Sequence, residues 1–431
     1  MAQEQGIAFE EATRLFVEAV EKGDEEVVGW AHDRMDPDTM GAAGLCWFIL
    51  KEKWGKKFTC YYSKAMSFLM NRSIAKNFLP SRLLCRCEEE KDLAGIASRA
   101  SLIVILDATS PEIMTDLSRL MRRNEEIRNK RIFYIDHHRR GAVDVEDLPN
   151  AHGLRIEDAQ STSAIMVHIL RNLGLDLNPK SEECFRLAVA AKAGIETDLI
   201  GVDREGIAET TRDALAYLDS IIGERGEEIL DKLRGLKQPL SWYRKLGEAL
   251  SRVADYDQNV AVIGLGVVDD TGMIPFVANE LMATGPYKTA IVFGLVYDRI
   301  EDRIVAVDID ASGRSTADTE IVLPDLFHEI FYITDEEGRK ISKGGGRSNM
   351  LLGDYSGAGA SVPLRYWRDL PTASADDKVQ LLERHAWPAE FMRLRHLIAS
   401  RVALKPEKIL SAVPVPDLLP KTNGHHPPEN R

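Results

Sequence analysis

Two short apolar runs, SLIVILDATS at residues 101–110 and RIFYIDHH at 131–138, each stop abruptly at an acidic residue. Their length and β-branched content read as buried strands. Between them, the apolar spacing of Ile113–Met121 and the charged stretch Arg122–Arg131 read as a surface helix whose basic residues face solvent. Strand, helix, strand with polar residues at the strand ends is the pattern of a parallel α/β sheet, and such sheets collect ligands at the carboxyl ends of their strands. The same reading predicts a helix over 8–30 with a turn at Gly23-Asp24. It also predicts one through Ile165–Leu173 ended by Gly174, one over about 181–193 running into GIETDLIG, and one over about 209–222.

The pattern then changes. Residues 223–258 are charged and helix-prone, with Pro239 in their middle, and read as a helical linker. Beyond them VAVIGLGVV (260–268), TAIVFGLVYD (289–298) and RIVAVDIDA (303–311) read as strands, with a helix near 274–284. A second, smaller α/β domain is therefore expected. Residues 376–404 read as helical and the Pro- and polar-rich end as a disordered tail. Gly264-Leu265-Gly266 lies in a strand-like run without a third glycine, so no dinucleotide-binding loop is predicted there.

Composition narrows the function classes. A hydrophobic fraction of 44% over 431 residues supports substantial cores, and a net charge of −13 excludes attachment to nucleic acid or an anionic membrane by bulk charge. The longest apolar stretches, Leu102–Leu106 and Ala290–Val296, are far short of a membrane span, and the acidic N-terminus lacks an apolar signal core. The five cysteines show no zinc or redox spacing and read as reduced thiols. The expected setting is cytoplasmic.

Four segments carry residues suited to chemistry. His32, Asp36 and Asp38 precede Gly41 in a stretch that is either a metal loop or an ordinary turn and helix cap. Asp107 ends a buried strand, where it must be paired or metal-bound unless it, Thr109 or Ser110 caps the next helix. Asp136-His137-His138 ends another strand, and an acid with two adjacent imidazoles is no packing solution. Asp198 falls at a helix end, where the dipole disfavours a carboxylate unless a cation compensates.

Taken in this order, His32-x3-Asp36-x-Asp38, Asp107, Asp136-His137-His138 and Thr197-Asp198 resemble the four motifs of the DHH phosphoesterase superfamily, and Ser161-Thr162-Ser163 resembles its helix opening. Gly313-Arg314-Ser315, Gly344-Gly345-Gly346-Arg347 and Ser356-Gly357-Ala358-Gly359 resemble its DHHA1 substrate-binding domain, with Arg347 where the family's glycine run continues into histidine. The resemblance implies a DHH domain over 28–222, a linker over 223–258, a DHHA1 domain over 259–368 and a C-terminal extension over 369–431.

It further implies two Mn²⁺ ions, with Mg²⁺ or Co²⁺ as substitutes. One would be held by His32, Asp36 and Asp107, the other by Asp38, Asp107, His137 and Asp198, with Asp107 bridging. Asp136 would orient His137, and His138 would face the substrate phosphate. Arg314, Ser315, the triple glycine as an anion nest and Arg347 would bind substrate, with Arg34, Arg139 and Arg140 forming a basic rim. The expected partner is a short nucleotide or oligoribonucleotide, not a long duplex or a membrane, and a homodimer is left open. The alternatives are an inorganic pyrophosphatase and a non-catalytic nucleotide sensor.

Overall fold

The computed structural model describes residues 2–22, 26–108, 111–138, 144–199, 205–251, 254–256, 259–284, 286–300, 303–316, 319, 321–334, 340–342, 344–347, 355–364 and 374–401. They form two compact units, Met1–Leu240 and Ser241–Arg431.

The first unit runs α1 (Ala2–Glu21), β1 (Glu26–Ala31), α2 (Pro37–Trp54), β2 (Lys57–Tyr62), α3 (Leu69–Asn77), β3 (Leu84–Arg86), α4 (Leu93–Arg99) and β4 (Leu102–Leu106). It continues through α5 (Thr115–Arg123), α6 (Glu125–Arg128), β5 (Ile132–Asp136), β6 (Ala151–Arg155), α7 (Thr162–Asn172), α8 (Glu182–Asp198) and α9 (Glu209–Arg234). The helix expected over 8–30 ends at Glu21, and Glu26–Ala31 is a strand, because its apolar residues are buried in a sheet rather than along one helical face. All six strands are parallel, in the order β3-β2-β1-β4-β5-β6.

That order reverses direction between β1 and β4, which lie side by side with Ala31 opposite Leu106. The carboxyl ends of such a pair diverge into a crevice, where α/β sheets bind ligands. Both faces of the sheet are covered. Val104 and Leu106 pack with residues of α1, α2, α7, α8 and α9, while Ile103 and Ile105 pack with residues of α4, α5 and α6. A strand buried on both faces reads as an unbroken apolar run, and Leu102–Leu106 is one.

The charged stretch expected as a linker from residue 223 is divided. Its first part completes α9, kinked at Gly223, and Leu230 and Leu233 pack into the first unit's core. Buried Lys192 of α8 holds Asp219 and Glu227, one on each side of that kink. The division between the units falls after Leu240, the first residue of α10 (Leu240–Leu250).

In the second unit follow β7 (Ala254–Tyr256), β8 (Val260–Val268), α11 (Met273–Thr284), β9 (Thr289–Ile300), β10 (Arg303–Thr316) and α12 (Leu323–Ile330). Then come β11 (Tyr332–Thr334), β12 (Lys340–Ser342), β13 (Gly344–Arg347), β14 (Tyr355–Pro363), α13 (Ala375–Leu381) and α14 (Trp387–Arg401). Its main sheet has the order β13-β14-β10-β9-β8-β7, with only β8 and β9 parallel. Gly264 and Gly266 flank a bulge in β8, and Phe391 and Trp387 of α14 lie against Gly264. Gly264 serves that packing, and Gly266, with a φ of 86°, serves the bulge. Among the described residues no helix is long and apolar enough to cross a membrane.

Candidate metal centre

His32 follows β1 directly, and the chain then turns into α2. Asp36 caps that helix by accepting from the Thr39 amide at 3.0 Å, and Pro37 takes the first helical position. Turn, cap and ligand are therefore one structure. Asp38, in the first turn of α2, is fully buried against the start of α7. Its carboxylate accepts from Ser161 Oγ at 2.6 Å, the Thr162 amide at 2.7 Å and the Ser163 amide at 2.9 Å.

This meeting of helix ends needs glycine. A Cβ on Gly41 would lie 2.5 Å from Ser163 Oγ and 2.7 Å from Ala191 Cα, and one on Gly194 would lie 2.8 Å from Asp38 Cα. A side chain at either position would push α2 away from α7 and α8.

Asp107 follows β4 with a φ of 56°, the left-handed region that costs a non-glycine residue roughly 1–3 kcal/mol. Its amide donates to the Ile135 carbonyl at 3.0 Å. The next α-helix begins only at Thr115, with Met114 at its cap position. Asp107 is therefore not that helix's cap; Thr109 and Ser110 lie outside the described residues. At the end of β5, His137 Nε2 lies 2.9 Å from Asp198 Oδ2, 3.4 Å from Asp107 Oδ1 and 3.8 Å from Asp38 Oδ2.

Asp136 departs from its expected role of orienting His137. Its carboxylate is 2.8 Å from His138 Nδ1 on one oxygen and accepts from Arg155 Nη1 at 2.8 Å on the other. Asp136 ends β5 in register with Arg155, the last residue of β6, so the two side chains stand on the same face of the sheet.

The potential ligands fall into three groups whose donor atoms lie within 4.8 Å of one another: His32, Asp36 and Asp107; Asp38, His137 and Asp198; and Asp107, His137 and His138. Burial opposes charge here, yet the electrostatics are extreme. Asp36 and Asp107 raise the His32 imidazole to about 9 despite its burial, and Asp107 and Asp198 raise His137 to about 10. Burial, Asp107 and Asp198 push Asp38 up to about 8 although three donors serve it. Against burial, the imidazoles of His137, His138 and His32 hold Asp107 well below the usual carboxylate range. Four aspartates crowded into one crevice call for positive charge. Imidazole and carboxylate donors without thiolate fit a borderline-hard divalent ion.

Three contributors were not among the expected ligands, although Thr162 lies in the Ser161-Thr162-Ser163 helix opening. The Thr39 hydroxyl lies 2.8 Å from Asp107 Oδ2, 3.0 Å from Asp36 Oδ1 and 2.9 Å from His32 Nε2. The Thr162 hydroxyl donates to Asp107 Oδ1 at 3.0 Å. Arg155 is the third. Thr39 had one detectable signal, its place three residues after a helix-capping aspartate; Arg155 had none.

In the second unit, Arg314 and buried Ser315 lie on β10. Arg314 donates from Nε to Asn279 Oδ1 at 2.8 Å and from Nη1 to Ser312 Oγ at 3.0 Å, and burial draws its guanidinium below its ordinary range. The triple glycine, expected as an anion nest, is instead an edge strand. Gly344, Gly345 and Gly346 pair with Ala360, Gly359 and Ala358 of β14, because extended glycines can ladder with another small-residue strand. The Arg347 side chain, Arg139 and Arg140 lie outside the described residues.

Comparison with known proteins follows the same lines. No curated protein matches the chain in sequence. Among solved structures it is similar to an exopolyphosphatase-related protein from Bacteroides fragilis, at 18% identity and a TM-score of 0.58, covering 91% of this chain and 98% of that one. It is also similar to RecJ in complex with Mn²⁺ from Thermus thermophilus, at 13% identity and a TM-score of 0.40, covering 91% of this chain and 55% of that one. The model of the DHH family, N-terminal domain, matches residues 26–195. That span runs from β1 through most of α8 and includes every candidate ligand except Asp198. DHH-family members are metal-dependent phosphoesterases and related hydrolases. Over residues 26–195 the chain is similar to the N-terminal domain of the DHH family.

Proposed function

We propose that the protein is a two-metal phosphoesterase that hydrolyses short nucleotide phosphoesters: oligoribonucleotides, linear or cyclic dinucleotides, or 3′-phosphoadenosine 5′-phosphate. The observation that carries this reading is that Asp107 belongs at once to the His32/Asp36 group and to the His137/His138 group, while His137 links it to Asp38 and Asp198. A carboxylate shared by adjoining ligand sets is what a dinuclear centre needs.

His32, Asp36 and Asp107 would hold one ion, and Asp38, Asp107, His137 and Asp198 the other; Mn²⁺ is our choice on ligand chemistry. When bound, such ions neutralise charge on a phosphoryl group and activate water for in-line displacement. The protein's own part is positioning. Asp36 and Asp38 are fixed by the start of α2, and Asp38 further by the start of α7. Asp136 holds His138 at Nδ1 and so fixes the ring that would meet a phosphate oxygen or a leaving-group oxygen. The second unit reads as DHHA1-like, with Arg314 as its phosphate contact.

The test is turnover of pApA, pGpG, cyclic di-AMP, 3′-phosphoadenosine 5′-phosphate, pyrophosphate and inorganic polyphosphate with Mn²⁺. The last is included because the Bacteroides protein is described as exopolyphosphatase-related. Release of mononucleotide or adenosine phosphate is expected. Turnover of pyrophosphate or polyphosphate alone would reassign the substrate class, and no turnover of any would overturn the enzyme reading.

A further inference from the structure

Among the described residues Asp107 is the carboxylate shared by two of the ligand groups. Oδ2 is the oxygen near Thr39, whose hydroxyl also reaches His32 and Asp36. Oδ1 is the oxygen near His137 Nε2, at 3.4 Å, and it accepts from the Thr162 hydroxyl at 3.0 Å. Both threonines are fully buried, one at the start of α2 and the other at the start of α7. An ionised carboxylate offers about four lone-pair sites, two on each oxygen. With one hydroxyl on each oxygen, each oxygen keeps a lone pair for a further partner.

We propose that Thr39 and Thr162 are positioning residues for the bridge. Their hydroxyls hold the Asp107 carboxylate so that Oδ2 serves the His32/Asp36 position and Oδ1 serves the Asp38/His137/Asp198 position. The inference rests on the two-ion reading above. A hydroxyl has one proton, so Thr39 donates to one of Asp107 and Asp36 at a time, and its oxygen also lies 2.9 Å from His32 Nε2. Its placement therefore ties together the whole ligand set of one position. Thr162 acts on the other, and its own amide holds Asp38 at 2.7 Å, so one residue orients a carboxylate from each of two motifs.

The experiment measures Mn²⁺ binding to the full chain by calorimetry, and Mn–Mn exchange coupling by electron paramagnetic resonance. It compares wild type with Thr39→Val, Thr162→Val, Thr39→Ser and Thr162→Ser. Removing an outer partner of a metal ligand typically weakens affinity about 10- to 100-fold. Each valine variant is expected to lose affinity of that order for one of the two ions and to lose the coupled spectrum, and each serine variant to keep both. Alanine variants carry the same expectation where a valine variant does not fold.

Valine or alanine variants that bind two ions with wild-type affinity and an unchanged coupled spectrum would overturn the inference alone. Serine variants as weak as the valine variants would also overturn it, since shape and not the hydroxyl would then matter. A wild-type protein that takes up a single ion would overturn the two-ion reading and this inference together.

Discussion

Arg155 donates from Nη1 to Asp136 Oδ2 at 2.8 Å, and the same nitrogen reaches the His138 carbonyl at 2.6 Å. Its Nη2 meets Asp144 Oδ1 at 2.5 Å and its Nε meets Glu146 Oε1 at 3.1 Å. One mostly buried guanidinium thus spans the Asp-His-His strand end and the turn that leads into β6. Arginine suits this place because its planar fork serves several acceptors at fixed angles.

Replacing it tests that reading. Removing one partner from a buried ion pair leaves the other charge uncompensated and costs about 3–5 kcal/mol. Arg155→Met should destabilise the protein by that order in urea unfolding and also depress turnover, because His138 loses its anchor. Arg155→Lys should recover part of the stability but less of the turnover. Equal stability of wild type and Arg155→Met would show the network to be energetically idle.

Metal dependence should be visible in stability as well as rate. A ligand that binds only the folded state at about 100 times its Kd stabilises it by roughly 2.7 kcal/mol. Mn²⁺ should therefore raise the thermal midpoint of the wild-type protein, and a chelator should reverse the rise. Asp107→Asn and His137→Ala should keep the fold by circular dichroism, lose hydrolysis, and show a much smaller Mn²⁺-dependent shift. A full shift in either variant would remove that residue from the ligand set.

Stability should also fall in mild acid through a histidine remote from the crevice. His168 of α7 stacks on Phe9 of α1 with ring centroids 4.3 Å apart, and its Nε2 meets the Thr210 carbonyl at 2.9 Å. Burial, with Arg171 nearby, lowers its pKa below the ordinary 6.5. Below 6.5 the unfolded chain takes up a proton that the folded protein resists, so this contribution is complete above 6.5 and declines as pH falls through the lowered folded value. His168→Gln should flatten that part of the stability–pH curve between pH 7 and 5, read by urea midpoints. An unchanged slope would place the acid sensitivity elsewhere.

Helix approach at the centre can be tested without touching a ligand. With 2.5 Å between an added Cβ and Ser163 Oγ, Gly41→Ala overpacks the junction of α2 and α7, and overpacking costs about 1–3 kcal/mol. The variant should unfold at lower denaturant and bind Mn²⁺ more weakly, since Asp38 shares that junction. Wild-type stability and affinity would mean that the helices part freely there.

Much of the first unit was legible in the linear pattern because its elements are locally determined. Leu102–Leu106 and Ile132–Ile135 are apolar on both faces, so they read as strands whatever lies beside them. The acids that terminate them had to be paired or ligated, because a buried carboxylate cannot stand alone. The second half of α9 was not legible: its charged surface resembles a connector, and only packing of Leu230 and Leu233 assigns it to the first core. The strand at Glu26–Ala31 was hidden for the same reason, since a short apolar run beside a helix continues the helical spacing.

The sequence by itself determined which side chains stand at strand ends and helix starts, and so which chemistry was available, because residue type and local spacing suffice for that. Tertiary structure alone decided that β1 and β4 are neighbours at the reversal of strand order, that Thr39 and Thr162 meet on the two oxygens of Asp107, that Asp136 serves His138 with Arg155 behind it, and that three consecutive glycines form an edge strand. Most of these are contacts between segments separated in the chain. Such pairings follow from which cores can be buried together, and no local spacing encodes them.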